Sequence, residues 1–314
     1  MSYQNKITND IVIQKAKAIG FDLVGFAKAE ILYTETEKLN EWLSLGYQAG
    51  MDYMEKNLDK RKNVKNILNG AKSIISLGLN YHTEENYSDD ELIKSKQAGK
   101  ISRYAWGKDY HLVIWKLLNE LENSLKEIDP IFESLSYVDT GPVMDKAWAV
   151  RSGIGWLGKH TNVINRELGS WIFLSNIICN YEFEYSSPIP DFCGSCTACI
   201  EACPTGAIVQ KYVVDSNKCI SYLTIENKNE IPDVFKDKFD NWLFGCDICQ
   251  DVCPWNLKFT ELTHVKVFYP LQKELQVDEV LMMNEEEFKE KFQISPVKRA
   301  KLKGLKRNAS FLKH

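Results

Sequence analysis

Apolar residues recur at helical spacing in several segments of the chain. The longest segment covers 109–128, where four apolar residues share one helical face: Leu118, Leu121, Leu125 and Ile128. Asp109 is placed to cap this helix, and Thr8 can cap an earlier helix that ends at Gly20. Another helix fits 36–45.

Short apolar or alternating runs between these helices predict strands. They cover 21–26, 73–79 and 132–138. Further helices fit 284–292 and the segment after Pro296. Strands interleaved with helices make the first part of the chain α/β or α+β, and the pattern leaves the strand order open.

The composition is that of a globular protein with room for two domains. The chain has 314 residues, of which 44% are hydrophobic and 26% charged. The first twenty residues lack the apolar core of a secretory signal. The longest apolar stretch, 171–178, is too short to span a bilayer. We therefore expect a cytoplasmic protein without membrane association.

The cysteines are confined to one part of the sequence. All nine lie between Cys179 and Cys253. A reducing cytosol disfavours structural disulfides, so metal binding or catalysis is the usual reason for so many cysteines. The first 178 residues contain none, which predicts that they house a different part of the chemistry.

Two cysteine runs resemble those of bacterial ferredoxins. The first matches C-x2-C-x2-C-x3-C-P at every position: Cys193, Cys196, Cys199, Cys203 and Pro204. In two-cluster ferredoxins the first three thiolates of such a run hold one cubane and the fourth holds the other. The second run has only Cys246, Cys249 and Cys253 before Pro254, and Cys219 is the natural replacement for the missing ligand.

The crossed arrangement assigns all eight ligands. Cluster one takes Cys193, Cys196, Cys199 and Cys253, and cluster two takes Cys203, Cys219, Cys246 and Cys249. Structural zinc is the alternative, which three cysteines spaced by two fit poorly. Cys179 is left over and receives no role. The sequence therefore predicts two 4Fe–4S clusters that carry single electrons.

Two other motifs have an ordinary and a functional interpretation. Gly153, Gly155 and Gly158 satisfy G-x-G-x-x-G, but a helical segment precedes them and no acid follows at the ribose position, so a dinucleotide site is rejected. The glycines indicate either a packing turn or a close approach to a bulky group. Asp139 precedes Thr-Gly-Pro after a predicted strand, where it is either a turn cap or a proton-donating carboxyl group.

The carboxyl end of the chain is basic. From 295 to 314 there are seven basic residues and no acidic one, whereas the whole chain has a net charge of −4. Contact with a polyanion such as a phosphate backbone is one interpretation, and a solvated helical surface is the other.

In this order, the motifs resemble those of the epoxyqueuosine reductase family. They comprise Arg103-Tyr104-Ala105 through Asp109-Tyr110-His111, then 138–142, then 153–159, then the two cysteine runs. The resemblance implies reduction of epoxyqueuosine to queuosine at the wobble position of tRNA, with cobalamin as a further cofactor. It also implies an overall α+β fold. An N-terminal α/β cobalamin-binding domain like the reductive dehalogenase core would cover 1–178, a ferredoxin-like domain 179–260, and a helical basic segment 261–314.

The resemblance also implies roles for single residues. Asp139 is expected to be the proton donor, and with it the cobalamin contacts are expected to be Arg61, Tyr104, Lys159, Thr161, Ser221 and Asp247. Electrons are expected to pass from cluster two to cluster one and then to cobalt. Asp139 then protonates the departing oxygen, and water leaves after a second proton arrives.

The expected partners are a tRNA that carries epoxyqueuosine and an external flavoprotein or ferredoxin-type reductant. We expect a monomer. Many relatives continue past the segment 305–309 into a helical-repeat domain that helps to hold tRNA. Either the basic tail carries more of the RNA binding here, or the affinity for RNA is lower. Two rival hypotheses are a cobalamin-dependent reductive dehalogenase acting on a small substrate and an electron-transfer protein without chemistry of its own.

Overall fold

The computed structural model describes residues 6–87 and 97–313 of the chain. Its strands are β1 Leu23–Lys28, β2 Ser73–Asn80, β3 Ala98–Ile101, β4 Ser134–Tyr137, β5 Trp156–Leu157, β6 Val163–Ile164, β7 Ile172–Cys179, β8 Ile208–Gln210, β9 Val213–Val214, β10 Trp242–Phe244 and β11 Glu274–Gln276.

The α-helices are mostly short. They are Asn9–Ile19, Tyr33–Ser44, Leu58–Lys62, Tyr110–Ile128, Asp145–Arg151, Ala198–Ala202, Ile220–Ile225, Ile248–Asp251, Pro254–Lys258, Val277–Met282, Glu285–Phe292 and Lys301–Lys313. The 3-10 helices are Asp52–Met54, Val64–Asn66, Arg103–Ala105, Asp233–Phe235, Lys266–Phe268 and Pro296–Ala300. The mixture of strands and helices confirms the predicted α+β class.

The main sheet has the order β1-β2-β7-β4, and every neighbouring pair is antiparallel. The apolar stretch that the sequence places at 171–178 forms β7, an inner strand of this sheet. Packing on the sheet therefore accounts for its hydrophobicity. In the part of the chain that the structure describes, no helix has the length and apolar character needed to cross a membrane.

The long predicted helix covers the main sheet. It runs over Tyr110–Ile128, and the side chain of Asp109 accepts a hydrogen bond from the backbone N–H of His111, as an N-cap residue does. The apolar residues of one face are buried against the sheet: Ile114, Leu118, Leu121 and Leu125. The sequence prediction of this helix and its cap is confirmed.

A second sheet joins distant parts of the chain. Its order is β10-β3-β11, with β3 parallel to β10 and antiparallel to β11. Each strand comes from a different one of the three predicted segments, so these segments share a core. The domain boundaries at 178 and 260 stay predictions about the sequence.

The three glycines of the G-x-G-x-x-G match serve packing. They follow the helix Asp145–Arg151, which fits the rejection of a dinucleotide loop. A Cβ atom on Gly155 would lie 2.2 Å from the backbone oxygen of Ile164. Only glycine lets the two backbones approach this closely in the β5-β6 hairpin.

Candidate functional site

Four cysteines surround one cavity of about 130 Å³. They are Cys193, Cys196, Cys199 and Cys253, the residues predicted for cluster one, and are called the cluster-one set below. Cys196 is exposed. Burial, together with the three other thiols, raises the pKa of Cys199 to about 11. The four sulfur atoms are thus close enough to interact, and iron binding has to displace their protons.

Local sequence explains how these cysteines converge. Gly194 adopts a left-handed backbone conformation with a φ of 51°, which turns the chain between Cys193 and Cys196. Cys199 lies in the next helix. Cys253 is the N-cap residue of the helix Pro254–Lys258, whose first residue is proline. Proline suits this position because its missing N–H has no helical partner to lose.

Lys159 closes one side of the cluster-one cavity. Its side chain is only 2% exposed, and its Nζ atom donates hydrogen bonds of 2.7 Å to the backbone oxygens of Gly194 and Cys196. The lysine therefore clamps the loop that carries two ligands. Its ammonium group is the charge that a buried anionic cluster would need nearby.

The other predicted ligands form a second group, called the cluster-two set: Cys203, Cys219, Cys246 and Cys249. Burial and the neighbouring Cys219 thiol raise the pKa of Cys249 well above its usual range, and Cys203 contributes in the same direction. Burial and the Cys249 thiol likewise raise the pKa of Cys246 well above its usual range. Cys199 of the cluster-one set also acts on Cys249, so the two sets are neighbours, and the crossed pairing stays a prediction.

Both groups suit a cubane better than a single ion. A 4Fe–4S cubane has four irons and four cysteine ligands, so its thiolates surround a larger object than a zinc ion. The open cavity within the cluster-one set fits such an object.

Lys146 connects the cluster-two set with a polar recess. Solvent reaches its side chain, yet burial lowers the pKa of its ammonium group. A residue with both properties lies on the wall of a recess rather than on an open surface. The pKa of Lys146 is raised, against this effect, by Asp139, Cys249 and Cys219. The Asp139 turn and the cluster-two thiols are therefore both near Lys146.

Asp145 lies beside Lys146 in the recess. Burial, followed by the charge of Asp139, raises the pKa of Asp145 to about 7, against a hydrogen bond from Asn176 and the charge of Arg61. The Asn176 Nδ2 atom donates this bond at 2.7 Å. Asp145 therefore exchanges a proton near neutral pH, where an acid of ordinary pKa is fully ionised.

Asp139 projects into the recess from the turn after β4. Its backbone has a left-handed φ of 55°, and its side chain is 68% exposed. The hydroxyl group of Tyr110 donates a hydrogen bond of 2.8 Å to its Oδ2 atom. A Cβ atom on Gly141 would lie 2.1 Å from the Tyr137 ring, so glycine is required to hold the turn in place.

Two of three further predicted cobalamin contacts interact with acidic residues of this recess. Arg61 is buried and donates hydrogen bonds to the backbone oxygens of Lys56 and Tyr53. Burial lowers the pKa of its guanidinium group, and the charge of Asp145 opposes this shift. Burial and the charge of Asp139 raise the pKa of Tyr104 well above its usual range. Ser221 follows the ligand Cys219 in the helix Ile220–Ile225.

The other three predicted contacts have different surroundings. Lys159 faces the cluster-one cavity. Asp247 is 1% exposed, and its carboxylate accepts hydrogen bonds from Ser102, Tyr87 and the backbone of Arg103. Thr161 lies in the β5-β6 turn with a φ of 69°, next to Asn162, whose side chain accepts a hydrogen bond from Lys146. The oxygen atoms of the Asp247 carboxylate therefore already accept hydrogen bonds from other groups of the protein.

The sequence prediction missed Asp145 and Lys146. The signal was present, because a polar pair at the start of a helix follows directly after the Asp139 turn. The pattern indicated only the helix. The chemical importance of the pair depends on its enclosure, which spacing does not reveal.

The recess fits a large polar cofactor. Its side chains can donate hydrogen bonds or hold charge: Arg61, Tyr104, Asp139, Asp145 and Lys146. Cobalamin has amide groups around its corrin ring, which pair with such donors and acceptors. The recess also adjoins a cluster, as a cofactor that receives electrons requires.

Family models match two parts of the chain. A 4Fe–4S double cluster binding domain matches residues 192–256, and a model described as epoxyqueuosine reductase QueG matches residues 61–140. The first match confirms the prediction of two 4Fe–4S clusters and disfavours zinc.

Curated relatives match nearly the full length. An epoxyqueuosine reductase from Cellulophaga algicola is 45% identical over 97% of this chain and 98% of its own length. One from Synechocystis sp. is 46% identical over 87% of this chain and 93% of its own length. Family membership agrees with the predicted cofactor set of two clusters and cobalamin.

Solved structures of the same family share the fold. A crystal structure of epoxyqueuosine reductase with an epoxyqueuosine-modified tRNA-Tyr stem loop is 35% identical, with a TM-score of 0.88 over 96% of this chain and 80% of that one. The Bacillus subtilis enzyme, in a structure with its catalytic aspartate loop swung out of the active site, is 34% identical with a TM-score of 0.88 and the same coverage. The chain belongs to the epoxyqueuosine reductase family.

Proposed function

We propose that this protein reduces epoxyqueuosine to queuosine at the wobble position of tRNA, using two 4Fe–4S clusters and cobalamin. The observation that carries the proposal is that Asp139 and two cluster-two thiols, Cys249 and Cys219, all act on the pKa of one side chain, Lys146. A redox centre and an acidic group thus lie on either side of the same lysine. The solved relative that holds an epoxyqueuosine-modified stem loop supports this substrate.

The cluster ligands follow from the two groups of thiols. We assign the cluster-one and cluster-two sets as ligands of the corresponding clusters, with Cys179 outside both. Cys179 is buried in the main sheet, and burial raises the pKa of its thiol to about 12. It therefore stays a protonated core side chain.

The positions of the two sets favour a different order of electron transfer from the one expected. The cluster-two set adjoins the recess, whereas the cluster-one set includes the exposed Cys196. Electrons therefore enter at cluster one, cross to cluster two and leave toward the recess. Burial and neighbouring thiols that include Cys199 of cluster one raise the pKa of Cys249, so the two sets are close enough for this transfer.

The residues of the recess hold the cofactor and the reacting group. Arg61, Lys146, Tyr104 and Ser221 would hold cobalamin, which when bound supplies a low-valent cobalt as the source of electrons for the epoxide. Asp139 donates the proton to the departing oxygen. Its hydrogen bond to Tyr110 keeps the carboxyl group directed into the recess.

The basic carboxyl end contributes fewer free charges to RNA binding than its sequence indicates. Lys298, Arg299 and Lys313 form ion pairs of 2.8, 2.8 and 2.7 Å with acidic residues of the body. Arg307 donates to the backbone oxygens of Leu223, Asn227 and Asn229.

Three lysines of this end form no ion pair with another described residue: Lys301, Lys303 and Lys306. We propose these three as the phosphate contacts of the final helix. The external flavoprotein or ferredoxin-type reductant, the monomeric state and the cytoplasmic location stay predictions of the sequence.

The direct test is reconstitution without oxygen, followed by an assay on an anticodon stem-loop that contains epoxyqueuosine. We expect about eight irons per chain, bound cobalamin, and conversion to queuosine. Asp139→Asn keeps the cofactor content and absorption spectrum and abolishes turnover. Full cofactor uptake without product contradicts the proposed substrate and favours the dehalogenase or electron-carrier hypothesis.

A further inference from the structure

We propose that His111 is a proton relay that recharges Asp139 during turnover, and that Asp109 and Lys298 hold its imidazole ring in place. The inference rests on the proposed function, because it concerns the supply of protons to that reaction. His111 does not touch the substrate in this scheme and acts only through Asp139.

The reaction creates the need for a relay. Reduction of an epoxide to an alkene consumes two electrons and two protons, breaks both carbon–oxygen bonds, forms a carbon–carbon double bond and releases water. The electrons come from the external protein reductant through the two clusters. Asp139 carries one proton at a time, so a second proton has to reach it before the oxygen can leave as water.

His111 is fixed on one side by Asp109. The Nδ1 atom of His111 lies 2.9 Å from the Oδ1 atom of Asp109, which also caps the helix through the backbone N–H of His111. The Nζ atom of Lys298 lies 2.8 Å from the Oδ2 atom of the same carboxylate. The backbone N–H of Asp109 is bonded to the oxygen of Ile294, so the C-terminal helices anchor the arrangement.

Asp109 determines which nitrogen of the ring exchanges protons. Burial opposes ionisation of Asp109, but the hydrogen bonds from His111 and Lys298 outweigh it and lower its pKa to about 2. A permanently ionised carboxylate accepts the proton of Nδ1. The Nε2 atom is then left to gain and lose a proton, as in other Asp–His pairs.

The Nε2 atom faces Asp139. It is buried and has no hydrogen-bond partner among the described residues, which is unusual for a buried ring nitrogen. It lies 4.0 Å from the Oδ2 atom of Asp139, the oxygen that also accepts from Tyr110. A small movement of the Asp139 turn or one bridging water closes this gap, since catalytic hydrogen bonds are commonly long without substrate.

Other charged groups near the relay lie on separate elements. Lys298 is behind Asp109, on the 3-10 helix Pro296–Ala300. The charge of Asp139 also acts on Lys146 and Asp145, which lie on the helix Asp145–Arg151, and on Arg299 of the 3-10 helix Pro296–Ala300. His111 is thus the one of these groups that has both a fixed anion behind it and an unpartnered nitrogen directed at Asp139.

The test compares His111→Gln and His111→Ala with the wild type on the same stem-loop, at pH 6 to 9. Glutamine keeps a hydrogen bond to Asp109 but cannot carry a proton. We expect kcat to fall roughly tenfold to a hundredfold in both variants, with KM, cobalamin content and iron content unchanged. Imidazole added to His111→Ala should restore most of the lost rate, because it supplies the missing proton carrier.

The outcomes separate the relay from the reaction itself. A wild type that binds its cofactors but makes no queuosine refutes the proposed function, and the relay, which rests on that function, falls with it. A wild type that turns over, with His111→Gln equally fast at every pH, overturns the relay. Slow variants that imidazole does not accelerate also overturn it, since they indicate a structural role. Asp109→Asn should reduce kcat in the same direction as His111→Gln.

Discussion

The two cysteine sets have equal numbers of ligands but different surroundings. The cluster-one set surrounds a cavity with the exposed Cys196 on its rim and the buried Lys159 on its wall. The four cysteines of the cluster-two set are each partly exposed, and two of them, Cys219 and Cys249, interact with Lys146 of the recess. The spacing of the cysteines does not contain this difference, and the proposed direction of electron transfer rests on it: inward from cluster one, then from cluster two to the reacting group.

The largest effect should come from removing one ligand in each set. Cys249→Ser should abolish turnover with any reductant, because cluster two is the last carrier before the recess. Cys196→Ser should abolish turnover with a protein reductant, while a small strong chemical reductant still supports part of it. Rates with both reductants check this. Equal loss of turnover in the two variants with the chemical reductant would contradict the different positions of the two clusters along the electron path.

A large effect on substrate binding should leave both sets untouched. Replacing Lys301, Lys303 and Lys306 together by glutamine should weaken stem-loop binding and lower the slope of log affinity against log salt by up to about three, since each phosphate contact releases a counterion. Affinity measured at several salt concentrations is the check. The matched control is Lys313→Gln, whose lysine is already paired with Asp278. An unchanged slope in the triple variant would remove the proposed RNA contact.

An intermediate effect should be confined to cluster one. Lys159→Met removes the bonds to the oxygens of Gly194 and Cys196, so cluster one should be lost first and the iron content should fall from about eight toward about four per chain. Lys159→Gln, which keeps a donor without the charge, should retain more iron. Loss of cluster two in the methionine variant would contradict the separation of the two sites.

The smallest effect should be a pH dependence in the recess. Asp145 ionises near pH 4 when unfolded and at about pH 7 when folded, so the folded chain holds the extra proton between these values. Its contribution to stability is complete at low pH and is lost as pH rises through 7, by at most about 4 kcal/mol. Asp145→Asn should flatten this decline in melting temperature between pH 5 and 8. An identical decline in both proteins would place Asp145 in open solvent.

The sequence predicted the metal centres better than the recess. Cysteine spacing and the two Cys-Pro pairs indicated the crossed sets, because ligation depends on a short local pattern. The cap at Asp109 and the helix after it were also local and were confirmed. Lys159 lies at the cluster-one cavity, and the Asp247 carboxylate accepts hydrogen bonds from Ser102 and Tyr87, so their contacts with cobalamin stay predictions.

The parts that the sequence did not predict depend on long-range packing. The antiparallel order of the main sheet places β7 between two strands that precede it in the chain. The second sheet brings β3 against β10, more than a hundred residues away. Asp145 acquires its raised pKa from this enclosure, and His111 acquires its partner Asp139 from the turn after β4. No periodicity in the chain indicates the burial of Asp145 or the approach of His111 to Asp139.

The order of the two clusters is tested most directly by electron paramagnetic resonance of the cobalt(II) state. We predict that reduction of cluster two speeds the relaxation of the cobalt signal, and that the effect persists in Cys196→Ser and disappears in Cys249→Ser. The opposite pattern, in which the effect requires cluster one and survives without cluster two, would contradict the proposed path.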